Sequence, residues 1–159
     1  MAKNYTYRNL IVWQRAQQLA FQIIQLVQQV PQSWANAVVV RQIVSSATSI
    51  GANIAEGHGR YVPGAYRNYL SIARGSTAET DSWLDLLRRS GWITAEEEAA
   101  LHAECLEIMA ILTSKMLDLD RIKRESDTQV REELVPYAAP GVDDQPIFPF
   151  MDADYQVEP

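Results

Sequence analysis

The sequence predicts an all-α protein: an up-down-up-down antiparallel four-helix bundle followed by an extended acidic C-terminal tail. Apolar residues recur at helical spacing over four long stretches that only short breaks separate. Short connections force neighbouring helices to lie antiparallel, and no segment shows the alternating period of a β-strand. We therefore expect the bundle at residues 1–125 and the tail at residues 126–159.

The first two helices are expected over residues 9–30 and 36–56. Asn9 is a candidate N-cap of the first helix, and Pro31 ends it by disfavouring a helical conformation in the preceding residue. Gly57 follows the second helix and is a candidate left-handed C-terminal cap.

The third and fourth helices have clearer end signals. The third is expected over residues 63–90, because Pro63 suits the first helical position and Gly91 follows the last. The fourth begins at a capping box, in which Thr94 and Glu97 satisfy each other's backbone donors. Its apolar stripe has the spacing of bundle helices and comprises Leu101, Cys105, Ile108, Leu112, Lys115, Leu119 and Ile122.

The net charge of −6 conceals a basic first half. Residues 1–75 contain seven Lys and Arg but one acid, Glu56, whereas residues 76–125 and 126–159 carry net charges of −5 and −7. The single cysteine, Cys105, excludes an internal disulfide. No signal peptide or membrane-spanning run is evident, which indicates a cytoplasmic bacterial protein.

Two polar clusters interrupt the apolar helical pattern. They read Asn-Ile-Ala-Glu-Gly-His-Gly-Arg at residues 53–60 and Ile-Ala-Arg-Gly-Ser-Thr-Ala-Glu at residues 72–79. Glu56 lies near the negative end of the second helix dipole and needs a compensating cation. The candidates are Arg60, Arg67 and Arg74. Gly75 in mid-helix costs about 1 kcal/mol relative to Ala, which predicts that another backbone passes close to it.

The clusters have two interpretations, and the residues alone leave both open. One is a structural polar network that fixes helix register and subunit packing; its members would be Asn53, Glu56, Arg74, Ser76 and Glu79. The other is a nucleic-acid-binding site, because guanidinium groups pair with phosphates and tyrosines stack on unpaired bases. Its candidates are Arg60, Arg67, Arg74 and Tyr66.

Catalytic and metal-binding patterns are weak. His102 and Cys105 have ligand spacing, but two residues do not make a zinc site, and Cys105 falls on the apolar stripe. No phosphate-binding loop or di-iron motif is present. We therefore expect no enzymatic activity, no metal and no cofactor.

Aromatic residues outside the predicted core suggest surfaces. Trp34 and Trp92 fall in breaks between helices, where they either anchor a loop or contact another subunit. Residues 146–151 of the tail, Pro-Ile-Phe-Pro-Phe-Met, are conspicuously apolar. They either belong to a tail without function or dock in a groove of a neighbouring subunit or partner.

The motifs resemble those of the small proteins encoded in intervening sequences of bacterial 23S ribosomal RNA genes, and of the related accessory proteins of diversity-generating retroelements. Residues 7–14, 53–60 and 69–76, with Glu79, carry the resemblance, which covers about residues 7–122. It implies a four-helix bundle, a ring-shaped homopentamer and no catalysis. It also implies nucleic acid, or a partner protein such as a reverse transcriptase, as the binding partner of a basic surface. The alternative is a scaffold oligomer whose polar clusters serve only packing.

Overall fold

The structure, a computed structural model, describes residues 6–60 and 62–134, with side chains through Val130. Four helices account for most of these residues: α1 (Ile11–Leu26), α2 (Trp34–Gly59), α3 (Pro63–Arg89) and α4 (Ala95–Leu134). Single 3-10 turns at Tyr7–Asn9 and Val27–Gln29 flank α1. The described ranges contain no strand, so the all-α prediction is confirmed.

The helices pack in chain order, as in an up-down bundle. α1 packs on α2, and α2 packs on α3. An ion pair joins Arg67, early in α3, to Asp120, late in α4. A second joins Arg88, at the end of α3, to Glu98 in the first turn of α4. These two helices are therefore antiparallel.

The core lies along the apolar stripes of all four helices. Its largest fully buried apolar side chains are Leu19, Ile23, Ile43, Ile50, Ile54, Leu70, Leu84, Leu87, Ile108 and Leu112. Full burial of such a side chain stabilises the folded state by roughly 1.5–3 kcal/mol. Trp92 packs against this core, which agrees with an anchoring role.

Two predicted helix caps differ from the structure. Asn9 is not the cap of α1, because it lies in the preceding 3-10 turn, and α1 begins at Ile11 with no side-chain cap. Gly57 is buried inside α2, which continues to Gly59, and is not a left-handed cap. The positive-φ glycine of the described residues is Gly91, with φ of 70°, after α3.

The fourth helix begins where the sequence predicts and ends later than the sequence predicts. The Thr94 backbone donates to Glu97 at 2.8 Å, and the Glu97 backbone donates to Thr94 Oγ1 at 3.1 Å. α4 then continues to Leu134, past the expected boundary at residue 125. Residues up to Ile122 form one compact unit and those from Lys123 a second. The rest of the expected tail, residues 135–159, lies outside the described residues.

Gly57 permits the close approach of α2 and α3. A Cβ atom added there would lie 2.6 Å from Cβ of Tyr69 and 3.1 Å from Cδ2 of Tyr66. Gly75 differs, since nothing lies within 4 Å of a Cβ added to it. The prediction that a backbone passes close to Gly75 is therefore wrong, and its mid-helix glycine has no packing explanation.

These two glycines should respond oppositely to alanine. We expect Gly57→Ala to lower the free energy of unfolding by roughly 1–3 kcal/mol, since Tyr69 must shift. Gly75→Ala should raise it by up to about 1 kcal/mol, because alanine loses less chain entropy in an exposed helix. Urea denaturation of both variants measures the difference. Equal effects of the two substitutions would contradict the close contact at Gly57.

Candidate functional site

Glu56, Arg60 and Tyr69 form a hydrogen-bonded cluster where α2 meets α3. Arg60 donates to the Glu56 carboxylate, and the Tyr69 hydroxyl donates to the same oxygen at 2.7 Å. The Arg60 guanidinium also lies 5.5 Å from the centre of the Tyr69 ring. The hydrogen bond from Arg60, followed by that from Tyr69, lowers the pKa of Glu56. Arg60 is therefore the cation that compensates Glu56 at the end of α2.

The other two candidate arginines reach across to α4. Arg67 makes a two-pronged contact with Asp120, with Nε 2.6 Å from Oδ1 and Nη2 3.0 Å from Oδ2. Arg74 donates through Nε to Thr113 Oγ1 at 3.0 Å. Thr113 is neutral, and no carboxylate of the described residues pairs with Arg74. The charge of Arg74 is thus uncompensated, whereas those of Arg60 and Arg67 are balanced.

Tyr66 is poorly placed to stack on a base. Its ring is partly buried against the core, and it meets the ring of His58 edge-on at 6.2 Å. Burial raises the pKa of the Tyr66 hydroxyl. The structure consequently places Tyr66 in the packing between α2 and α3. Of the four candidates, Arg67 and Arg74 share one side of α3 facing α4.

The five residues expected to form one structural network are divided among separate contacts. Asn53 donates to Ser49 Oγ at 2.9 Å, and Ser76 donates to the same atom at 3.1 Å. Glu56 and Arg74 have the other partners given above. Glu79 accepts a hydrogen bond from Trp83 Nε1 at 3.3 Å. Only Asn53 and Ser76 therefore share a network.

The polar layer between α2 and α3 includes residues that the sequence did not single out. Ser49 links Asn53 to Ser76, and one turn away Thr80 donates to Ser46 Oγ at 3.0 Å. No buried side-chain polar atom in the described part of the chain lacks a hydrogen-bond partner. The sequence signal for this layer is the helical spacing of small polar residues within the apolar stripe of α2. Such a satisfied layer fixes the register of two helices.

The described residues have few features of a catalytic or metal-binding site. They contain no group of three or more metal-ligating side chains. Burial raises the pKa of the Cys105 thiol to about 12, so it is not a nucleophile at neutral pH. His102 Nδ1 lies 2.6 Å from Asp81 Oδ1, which ties α4 to α3.

A second feature that the motifs did not indicate is an uncharged surface on the first two helices. Residues 16–40 contain no ionisable side chain. They nevertheless expose several large apolar groups: Phe21 (57%), Ile24 (40%), Trp34 (85%) and Val38 (46%). Trp34 is the first residue of α2 and does not anchor a loop. Charge depletion with exposed aromatic residues is typical of the centre of protein–protein interfaces.

None of the described helices combines the length and apolarity required to cross a bilayer.

Comparison with known proteins identifies relatives of the bundle. A family model described as 23S rRNA-intervening sequence protein matches residues 8–114. A solved structure is also similar: a protein of unknown function from the S23 ribosomal protein family of Bacteroides thetaiotaomicron VPI-5482. It is 32% identical, with a TM-score of 0.62, and the match covers 67% of this chain and 98% of that one. No curated protein matches the chain.

The pair of His102 and Asp81 should make stability depend on pH. The hydrogen bond from Asp81 is the main cause that raises the pKa of His102 above 6.5, with a smaller contribution from Glu98. The protonated form therefore stabilises the fold fully below about pH 6.5. That contribution disappears as the pH rises through the raised pKa.

Urea denaturation from pH 5.5 to pH 9 measures this effect. The difference in free energy of unfolding between the wild type and His102→Asn should shrink as the pH rises. Asp81→Asn serves as the control, since it removes the partner that causes the shift. A difference that is constant across this range would show that the pair does not act through protonation.

Proposed function

Because the chain belongs to the 23S rRNA-intervening sequence protein family, we propose that it is a non-enzymatic, self-assembling helical protein that binds nucleic acid. The binding surface is a basic surface of the assembled ring, a homopentamer. A protein that itself processes nucleic acid, such as a reverse transcriptase, is a further partner of the same assembly. This surface recognises the phosphate groups of the nucleic acid.

Arg74 is the observation that carries this proposal. It is exposed on α3, its partner Thr113 is neutral, and its remaining guanidinium nitrogens can bind phosphate in two-pronged geometry. Arg67 lies two helical turns away, about 10 Å along the axis. The ion pair of Arg67 with Asp120 is half exposed, so a phosphate can replace Asp120 at a modest cost in free energy.

Assembly would turn this small cationic surface into a useful one. A single arginine contributes little affinity for a polyanion, and the acidic residues of α4 oppose it. Five copies in a ring present five such sites to one nucleic-acid molecule, and linked sites strengthen binding by orders of magnitude. The proposal therefore requires both the ring and the arginine.

Titration of an RNA with the protein at 50 mM salt and at higher salt tests the phosphate contact. Arg74→Ala should weaken binding and reduce the dependence of log K on log salt by about one for each phosphate that is no longer bound. Arg89→Ala is the matched control, because it removes an equal charge that Asp85 already pairs at 2.7 Å. Absence of binding by the wild type at 50 mM salt contradicts the function, and equally weakened binding by both variants contradicts the assignment to Arg74.

A second function is favoured by the uncharged surface on residues 16–40. Here the protein is a scaffold oligomer that binds a partner protein, and the polar clusters serve only packing. The pairing of Arg60 with Glu56 and of Arg67 with Asp120 agrees with this alternative. The exposed aromatic side chains Phe21 and Trp34 supply the contact area that assembly needs.

Substitution of these aromatic residues tests whether the surface mediates assembly. We expect Phe21→Ser combined with Trp34→Ser to reduce the oligomer mass measured by sedimentation, because both side chains are exposed in the single chain. Leu106→Ser on α4 is the control, since Leu106 is similarly exposed at 49%. Loss of the oligomer in the control alone would place the interface elsewhere.

A further inference from the structure

Two aromatic rings and a cation meet where the first 3-10 turn joins α1. The rings of Tyr7 and Trp13 lie 5.2 Å apart between their centres and meet edge to face, at an interplanar angle of 68°. The guanidinium carbon of Arg8 lies 5.7 Å from the centre of each ring. We call these three residues the aromatic–arginine cluster. It combines flat apolar ring surfaces with a planar cation.

The charge of Arg8 is available to a ligand. Its side chain is exposed, and no carboxylate among the described residues pairs with it. Aromatic rings attract a cation without neutralising it, so the guanidinium N–H groups can still bind a phosphate. Arg60 differs in this respect, because it also lies over a tyrosine ring but pairs with Glu56.

Local contacts hold the cluster in place. Gln14 donates through Nε2 to the carbonyl oxygen of Arg8 at 2.8 Å, and the Thr6 hydroxyl accepts from the Arg8 backbone N–H at 3.4 Å. Trp13 packs against the core, and its Nε1 lies 3.7 Å from the position that a Cβ atom added to Gly51 would occupy. Because these groups are already ordered, a ligand that stacks here pays little additional entropy.

The cluster supplies the stacking group that the candidate nucleic-acid site lacks. Tyr66 is engaged in the packing between α2 and α3, whereas Tyr7 is half-buried and lies beside an unbalanced cation. Aromatic rings and guanidinium planes are the groups on which proteins stack unpaired bases. A base inside a duplex is covered on both faces by its neighbours and cannot stack on such a ring. The cluster therefore suits a single strand better than a duplex.

We propose that the aromatic–arginine cluster binds an unpaired nucleotide of a single-stranded nucleic acid. The base stacks on the ring of Tyr7, which Trp13 supports at its edge, and Arg8 binds an adjacent phosphate. This inference rests on the proposed function, since it takes the ligand to be a nucleic acid. It adds the class of nucleic acid, which is a single strand or an unpaired loop, and a second group of residues that contacts it.

Binding of a single strand and of a duplex at the same salt concentration tests this preference. The probes are a short labelled oligo(U) strand and the same strand paired with oligo(A), and fluorescence anisotropy measures both affinities. Electrostatic attraction alone favours the duplex, because its charge density is higher. Stacking on Tyr7 should instead make the single strand bind at least about fivefold more tightly. Oligo(dT) with its own duplex distinguishes DNA from RNA, and the same preference with either sugar supports the proposal.

Substitutions assign the preference to the cluster. Tyr7→Leu should lower the affinity for the single strand at least about fivefold without changing that for the duplex, and Tyr7→Phe, which keeps a ring, should bind as the wild type does. Arg8→Gln should weaken binding of the single strand and reduce the dependence of log K on log salt by about one. Arg89→Gln is the matched control, because Asp85 already pairs with Arg89 at 2.7 Å. Circular dichroism verifies that each variant is folded.

The outcomes separate this inference from the proposed function. Duplex binding that equals or exceeds single-strand binding, or a folded Tyr7→Leu variant with wild-type affinity, would overturn the inference and leave nucleic-acid binding intact. If Tyr7→Leu does not fold, the exposed Arg8 decides, and equal affinities of Arg8→Gln and Arg89→Gln for the single strand would overturn the inference. Absence of binding to every probe at 50 mM salt would contradict both.

Discussion

The close contact between α2 and α3 is the constraint on which the rest of the structure depends. Gly57 removes the side chain that would hold these helices apart, and Tyr69 occupies the space that this opens. Further along the same contact, Ser49 with Ser76 and Ser46 with Thr80 match polar atoms across the two helices. A slip in register would break these hydrogen bonds between the two helices. The contact therefore fixes the axial position of every residue on α3 relative to α2. It places Tyr69 beside Glu56 and Arg60.

Charge pairing decides what the basic half of the sequence can do. Seven cations against one acid suggest a strongly positive surface, yet the acids of α4 reach back to several of them. Glu104 binds Arg15 in two-pronged geometry, and Asp120 does the same to Arg67. The folded chain thus brings together charges that are far apart in sequence. Arg41 and Arg74, like Arg8, have no described acid that balances them, and Arg8 lies instead over the rings of Tyr7 and Trp13.

Much of the fold could be predicted from the sequence because local rules determine it. The capping box at Thr94, the proline at the start of α3 and the apolar periods all act within a few residues. The contacts of the candidate site were harder to predict. The partner of a long side chain depends on the rotation and axial position of a neighbouring helix. Gly57 and Gly75 look equivalent in sequence, but one faces a helix and the other faces open space. Periodicity does not resolve such a difference.

The absence of ionisable groups between Arg15 and Arg41 has a consequence for how that surface responds to solution conditions. A contact made by Phe21, Ile24, Trp34 and Val38 has no counterions to release and no proton to gain or lose. Sulfate and similar salts that are excluded from apolar surfaces strengthen such a contact, whereas they weaken a contact between arginine and phosphate. Salting-out conditions thus favour contacts at this uncharged surface and oppose the phosphate contact that is proposed for Arg74.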